Sequence, residues 1–231
     1  MVPAFVLAVL SACDGGGDSY FPLEPGLRFD YRTDLNTEGT APETLRSSAV
    51  NLAPRTLGDV VVTPQLHQDG RTLFYAENAE GIRLVGFQKP GEDAITEIPN
   101  QYILKYPLEA GATWRTPGRT VLLTERFLAS KALPVRIGID LAYKIETVNT
   151  DVRVPAGHFF DCIKIVAEGH TTVTTADNQR TLNVDVAITE WYAPGVGLVK
   201  AMRSERAGAE RAGNADAVTE LEYVKRRSWF Q

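Results

Sequence analysis

Two cysteines in 231 residues leave no material for a disulfide framework within the folded chain if one of them is modified. A basic surplus is also missing: 24 Lys and Arg against 29 Asp and Glu give a formal charge of −5. Binding through nucleic-acid phosphates needs a basic face that displaces counterions, so no nucleic-acid partner is expected. The three histidines, His67, His158 and His170, stand far apart, and neither His-x-x-x-His nor Cys-x-x-Cys spacing occurs. No preformed set of metal ligands is therefore expected. G-x-S-x-G, the P-loop and G-x-G-x-x-G are absent as well; the lone Gly195-Val196-Gly197 follows Pro194 and reads as a turn. These absences predict no cofactor and a non-enzymatic role. Long apolar runs are lacking too, since Val2–Leu10 is about half the ~20 residues that a membrane-crossing helix needs.

What is present begins with that run. Its length suits the hydrophobic region of a signal peptide, and it leads into Leu10-Ser11-Ala12-Cys13. This tetrapeptide resembles the lipobox of bacterial lipoproteins. The resemblance implies that residues 1–12 are removed and that Cys13 becomes an acylated N-terminus, making a membrane the first expected partner. Two or more acyl chains anchor stably where one does not. The alternative is a buried strand with Cys13 as a core thiol. Against it, Asp14-Gly15-Gly16-Gly17-Asp18-Ser19 has the composition of a flexible spacer, so residues 13–19 read as a tether. No Lys or Arg precedes Arg28, whereas a signal peptide opens with basic residues, so a start upstream of Met1 is expected. Asp14 resembles the inner-membrane retention signal of enteric bacteria; inner and outer membrane both stay open, with the domain facing the periplasm in a Gram-negative envelope.

From residue 20 to 231 the pattern is that of strands. Ile137, Ile139, Leu141, Tyr143 and Ile145 alternate with Gly138, Asp140, Ala142 and Lys144, and Leu182, Val184, Val186 and Ile188 alternate with Asn183, Asp185, Ala187 and Thr189. Such period-two stretches make half-buried strands, and strands with one wet face belong mostly to antiparallel sheets. Gln68-Asp69-Gly70-Arg71 supplies an Asp-Gly hairpin turn, and Ala176-Asp177-Asn178-Gln179 a looser one. Further strands are expected over 27–33, 44–52, 60–68, 71–77, 81–88, 120–127, 159–167, 197–204 and 218–224. Helical periodicity is confined to Phe127–Leu133 and to 205–217, where Gly208 and Gly213 weaken it; the second stretch reads as an exposed loop with solvated charges. The expected fold is thus all-β or β-dominated: a curved, mainly antiparallel sheet, or a partly open barrel or sandwich, with few short helices. A division into two lobes would fall near 89–106, where Pro90-Gly91 and Pro99-Asn100 interrupt the strands.

One octapeptide recurs. Pro22-Leu23-Glu24-Pro25-Gly26-Leu27-Arg28-Phe29 matches Pro107-Leu108-Glu109-Ala110-Gly111-Ala112-Thr113-Trp114 at proline, leucine, glutamate and glycine, with an aromatic residue three positions after the glycine. The mechanical reading is a Gly turn that feeds a strand and anchors its aromatic in the core. Chance similarity is the competing reading.

Three segments together carry a family resemblance: Tyr20-Phe21-Pro22-Leu23 with Gly26 and Phe29, Val154-Pro155-Ala156-Gly157-His158-Phe159, and Trp191-Tyr192-Ala193-Pro194-Gly195-Val196-Gly197-Leu198-Val199-Lys200. In order and spacing the chain resembles the TapB-like family of bacterial envelope lipoproteins. The resemblance implies a β-dominated envelope domain without an established reaction and transfers no catalytic residue. In structural terms, Pro155 and Gly157 make a turn into the strand at Phe159, and Pro194-Gly195 joins the strand ending at Tyr192 to the one containing Val199.

Isolated polar residues offer little chemistry. His158 and Asp161 would act as an acid–base pair only if the fold brought them together, because three residues along a regular strand put side chains on opposite faces. Asp185 and Glu190 with Asp140 or Glu146 could form a glycosidase-like pair, but carboxylates on a wet sheet face are usually solvated. Cys162, in the strand-like run between Phe160 and Ile163, is expected to be buried, as thiols mostly are. The first functional expectation is a membrane-tethered module that binds protein partners or supports envelope assembly. The second is a carrier of lipid or another apolar ligand in a curved-sheet cavity, and the third an uncharacterised hydrolase.

Overall fold

The computed structural model describes residues 19–93, 95–123, 138–174, 181–208 and 214–225. Cys13, the tether up to residue 18, Phe127–Leu133 and Ala176-Asp177-Asn178-Gln179 lie outside the described residues. Within them the chain is all-β, with these strands in order: β1 (Arg28–Thr37), β2 (Glu43–Asn51), β3 (Arg55–Leu57), β4 (Val60–His67), β5 (Thr72–Asn78), β6 (Gly81–Gln88), β7 (Ile95–Lys105), β8 (Thr113–Arg119), β9 (Gly138–Val154), β10 (Gly157–Thr174), β11 (Thr181–Ala193), β12 (Gly197–Ala207) and β13 (Asn214–Lys225).

They build one antiparallel sheet in the order β7-β6-β5-β4-β2-β1-β13-β12-β11-β10-β9-β8, with β3 paired to β4 off that path. The sheet is not closed, yet its two edges meet: Thr116 Oγ1 on β8 donates to Tyr102 O on β7 at 3.1 Å. It therefore curls into an open barrel with a seam between β7 and β8. Bulges at Asp30/Tyr31, Phe74/Tyr75, Leu84/Gly86 and Trp191/Tyr192 help it to bend. The expected alternation holds, with Ile139, Leu141, Ile145, Val184, Val186 and Ile188 buried and Asp140, Lys144, Asn183 and Asp185 exposed. The Asp-Gly turn joins β4 to β5, and Gly70 takes the positive φ of 82° that such a turn requires.

Two expectations are corrected. Among the described residues there is no helix, and the helical candidate Phe127–Leu133 lies outside them. Residues 120–123 are not strand: β8 ends at Arg119, and the N–H groups of Val121, Leu122 and Leu123 all turn to the carboxylate of Glu205, at 2.9, 3.0 and 3.0 Å. Nor are residues 205–207 and 214–217 exposed loop, for β12 continues to Ala207, β13 begins at Asn214, and Glu205 is 0% exposed; residues 209–213 lie outside the described residues. The Glu205 charge is compensated by Arg203 Nε at 2.7 Å as well as by those three amides, which is how a buried carboxylate becomes tolerable.

Strands β3, β7 and β8 were not expected, and β7 runs through the Pro99-Asn100 interruption. Pro99 and Pro117 lie on the two edges of the sheet, where a missing N–H need not break a ladder. The recurring octapeptide is one local structure used twice. Gly26 N–H donates to Asn51 O at 2.8 Å and Asn51 N–H to Leu27 O at 2.9 Å; Gly111 N–H donates to Ile145 O at 2.8 Å and Ile145 N–H to Ala112 O at 2.9 Å. Both glycines have positive φ, 82° and 91°, and both aromatics, Phe29 and Trp114, are buried.

Candidate functional site

The motif segments singled out in the sequence converge at one end of the barrel. Pro155-Ala156 is the tip of the β9–β10 hairpin, closed by the pair Val154 and Gly157, and Gly157 has φ 145°. Pro194 and Gly195 turn β11, which ends just after Trp191 and Tyr192, into β12. Gly195 N–H donates to Ser19 O at 2.8 Å, Tyr20 hydroxyl to Asp161 O at 2.7 Å, and a Cβ on Gly197 would stand 3.3 Å from Pro22 Cδ. The residues directly after the tether thus close this end. Phe21 enters the interior, its ring 4.9 Å from Tyr75 and 6.5 Å from Tyr192. Tyr75 on β5 and Tyr192 on β11 come from opposite sides of the ring, so Phe21 fills the gap between them.

At the other end, along the seam, the interior stays open. A cavity of about 520 Å³ lies among β5, β6, β7 and β8. Leu73, Leu84, Phe87, Ile98 and Pro117 give it apolar walls, and among the described lining residues Arg71, Lys89 and Arg119 stand with one carboxylate, Glu97. Local sequence explains each wall. Gly86 allows β7 to approach, since a Cβ there would lie 3.0 Å from Thr96 O; at Gly118 a Cβ would meet Leu141 Cδ1 at 2.5 Å. Arg71 and Lys89 are exposed and hold Asp69 and Glu92, surface pairs that exchange partners at little cost. Arg203 Nη2 fixes the rim by donating to Arg119 O at 2.6 Å. The position of the seam was not readable in the sequence, because two of its strands were not expected.

The interior wall opposite carries a polar group that sequence reasoning placed on a wet face. Glu190 is only partly accessible, and burial raises its carboxyl above the usual glutamate range, while the Tyr192 hydroxyl, donating at 2.9 Å, and Arg203 oppose the shift. The other candidate carboxylates are dispersed: Asp185 meets His170 at 2.7 Å, Asp140 meets Arg115 at 2.7 Å, and Glu146 meets Lys164. His158 approaches Asp151 at 3.5 Å rather than Asp161, whose φ of 54° marks the β10 bulge. Among the described residues no group of three His, Cys, Asp or Glu side chains is placed to hold a metal ion. Cys162 is 0% exposed, and burial, with Asp151 and Asp161 nearby, pushes its thiol up to about 11.

No protein-family model and no curated protein matches the chain, so the resemblance to TapB-like lipoproteins rests on the three motifs. Among solved structures, similarity is found to a protein of Bacteroides fragilis described as exported, with a YmcC-like fold. Identity is 13% and the TM-score 0.46, covering 90% of this chain and 100% of that one. A protein of Parabacteroides distasonis described as a lipoprotein gives 14%, 0.43, 90% and 99%. A LolA superfamily protein of Nitrosomonas europaea gives 9%, 0.30, 90% and 88%. At TM-scores below 0.5 these likenesses establish neither a family nor an activity.

Proposed function

We propose that the chain is a lipid-anchored envelope protein whose β domain binds an anionic amphiphile, such as a fatty acid, in the seam cavity, without catalysing a reaction. One observation carries the reading: an apolar recess of about 520 Å³ whose described lining holds Arg71, Lys89 and Arg119 with one carboxylate, Glu97, in a chain whose net charge is −5; Arg71 and Lys89 also pair with Asp69 and Glu92, which are not among its lining residues. That volume falls within the roughly 300–1,000 Å³ of ligand pockets, and the mix of apolar wall and few polar groups is typical of them. Leu73, Leu84 and Phe87 take the chain of the ligand, and Arg71, Lys89 and Arg119 face its head. Partner binding, the first expectation from sequence, has less behind it: among the described residues the exposed large apolar side chains lie on β2, β4, β10, β12 and β13 and, outside the strands, at Leu52 and Val121, and exposed apolar residues of this kind are ordinary.

The test is a fluorescence titration of the mature protein with 11-dansyl-undecanoic acid and with the corresponding alcohol. Saturable one-to-one binding is expected, with the acid preferred. The exposed double variant Arg71→Glu/Lys89→Glu should weaken acid binding about tenfold, two surface charges at up to ~1 kcal/mol each, and leave the alcohol little changed. Absence of saturable binding, or an acid affinity indifferent to the double variant, would overturn the proposal.

A further inference from the structure

A second, smaller cavity of about 210 Å³ lies near the end closed by Phe21, and it shares no lining residue with the seam cavity. It borders the shortest ladder on the path of the sheet, β2 and β4 pairing over only Ala49–Asn51 and Gln65–His67. Phe21, Phe29, Tyr31 and Tyr75 form its aromatic walls, and Ala49 and Leu198 also line it. Close-packed interiors leave few voids larger than a water molecule, so a recess of this size has to be held open. Tyr31 hydroxyl donates to Leu198 O at 3.0 Å, and the Phe21 ring rests 4.9 Å from that of Tyr75. Behind them, Gln65 Nε2 donates to Asn51 Oδ1 at 2.9 Å and Asn51 Nδ2 to Pro22 O at 3.0 Å. The walls are thus fixed before anything binds, which lowers the cost of binding.

The lining decides what can enter. Among the described lining residues none is Asp, Glu, Lys or Arg. Burial pushes the Tyr31 and Tyr75 hydroxyls well above the usual tyrosine range, so both stay neutral. Burial and the nearby Arg71 hold the imidazole of His67, another lining residue, below the usual histidine range, Asp69 opposing them. An ion would therefore lose its hydration without meeting a countercharge in the lining, which is costly. Of the polar side chains there, Gln65 and Tyr31 already have partners, and Thr219 Oγ1 shares a hydrogen bond with Thr33 Oγ1 at 2.8 Å. We infer that this cavity binds a small uncharged apolar molecule, about one ring in size, held by contact with its aromatic and aliphatic walls and not by a polar bond. The size agrees, since an apolar cavity of about 150 Å³ is known to hold benzene. Removal of apolar surface from water supplies the affinity, and aromatic walls add edge-to-face contacts for a guest that is itself a ring. A way in exists. Ser47, Ser48 and His67 also line an adjoining recess of about 290 Å³, whose other walls include the exposed Arg46, Gln68 and Asp69.

The experiment compares toluene with benzoate on the mature protein by calorimetry and locates bound toluene by intermolecular nuclear Overhauser effects. Toluene should bind one-to-one, and benzoate, of similar size but charged, at least tenfold more weakly. The toluene protons should show contacts to the rings of Phe29 and Tyr31. Ser47 lines the cavity and is exposed, so Ser47→Phe brings a ring into the space without disturbing a buried position. This variant should lower toluene affinity at least tenfold. If it does not fold, the contacts seen in the wild type decide alone. The assignment would be overturned by absence of saturable toluene binding, by benzoate binding as tightly as toluene, by toluene affinity indifferent to Ser47→Phe, or by contacts confined to residues outside this lining. None of these outcomes bears on the seam cavity, whose own titration uses a different probe and different variants.

Discussion

Glu190 is where burial and charge compete most directly. Its folded carboxyl holds a proton more tightly than the unfolded one, because desolvation outweighs the Tyr192 hydroxyl and Arg203. The stability linked to that proton is fully present below the ordinary glutamate value of about 4.3 and is lost as pH rises through the higher folded value. Glu190→Gln keeps an acceptor for Tyr192 and cannot ionise. Thermal melts should therefore show this variant gaining on the wild type between about pH 4 and 8, with the largest advantage at the alkaline end; a constant offset across that range would refute the linkage. Cys162 illustrates what single residues disclose in sequence, since a lone thiol in a strand-like run is usually buried and this one is. Glu190 and Glu205 disclose the opposite. Nothing local separates a solvated carboxylate on a strand from a buried one whose partners lie elsewhere, and the amides that receive Glu205 are more than 80 positions away.

At the scale of elements, the Glu205 carboxylate ties the end of β8 to β12. Three backbone donors and Arg203 converge on it, and Leu123, the last residue so held, is fully buried in the cluster containing Ile139, Val184 and Ala215. Removing one partner of a buried ion pair strands the other, at a cost of about 3–5 kcal/mol. Glu205→Ala should lose stability on that scale in urea unfolding, with an unchanged m-value if the denatured state is unaffected. A loss below about 1 kcal/mol would place it among ordinary surface pairs and deny the clamp. The alternating strands β9 and β11 and the Asp-Gly turn were readable because their signals are local. The edge strands β7 and β8 were not, since proline counts against a strand until the strand is known to be an edge. The octapeptide was readable as a repeat, but only the paired hydrogen bonds to Asn51 and Ile145 distinguish a shared turn from coincidence.

On the scale of the whole molecule, the barrel has two unlike ends. Ser19, where the described chain begins, is hydrogen-bonded at the Pro194-Gly195 turn, whereas the seam cavity lies by Arg119 and Arg71, toward the opposite end of the strands. Five residues lie between Cys13 and Ser19, and the six extended steps that join them span at most ~20 Å. An acylated Cys13 would hold the Phe21 end close to the bilayer and direct the seam cavity away from it, so a ligand would enter from the aqueous side. This arrangement depends on acylation, which metabolic labelling with a palmitate analogue tests. The wild type should incorporate label and sediment with membranes, because two or more chains anchor durably. Cys13→Ala should incorporate none and appear in the soluble fraction if processed, or remain unprocessed on its apolar leader. Cys162 provides an internal control: it is 0% exposed with a thiol raised to about 11, so it should not take up label in either protein. Equal labelling of the two would remove both the anchor and the orientation derived from it, while leaving the seam cavity and its ligand titration untouched.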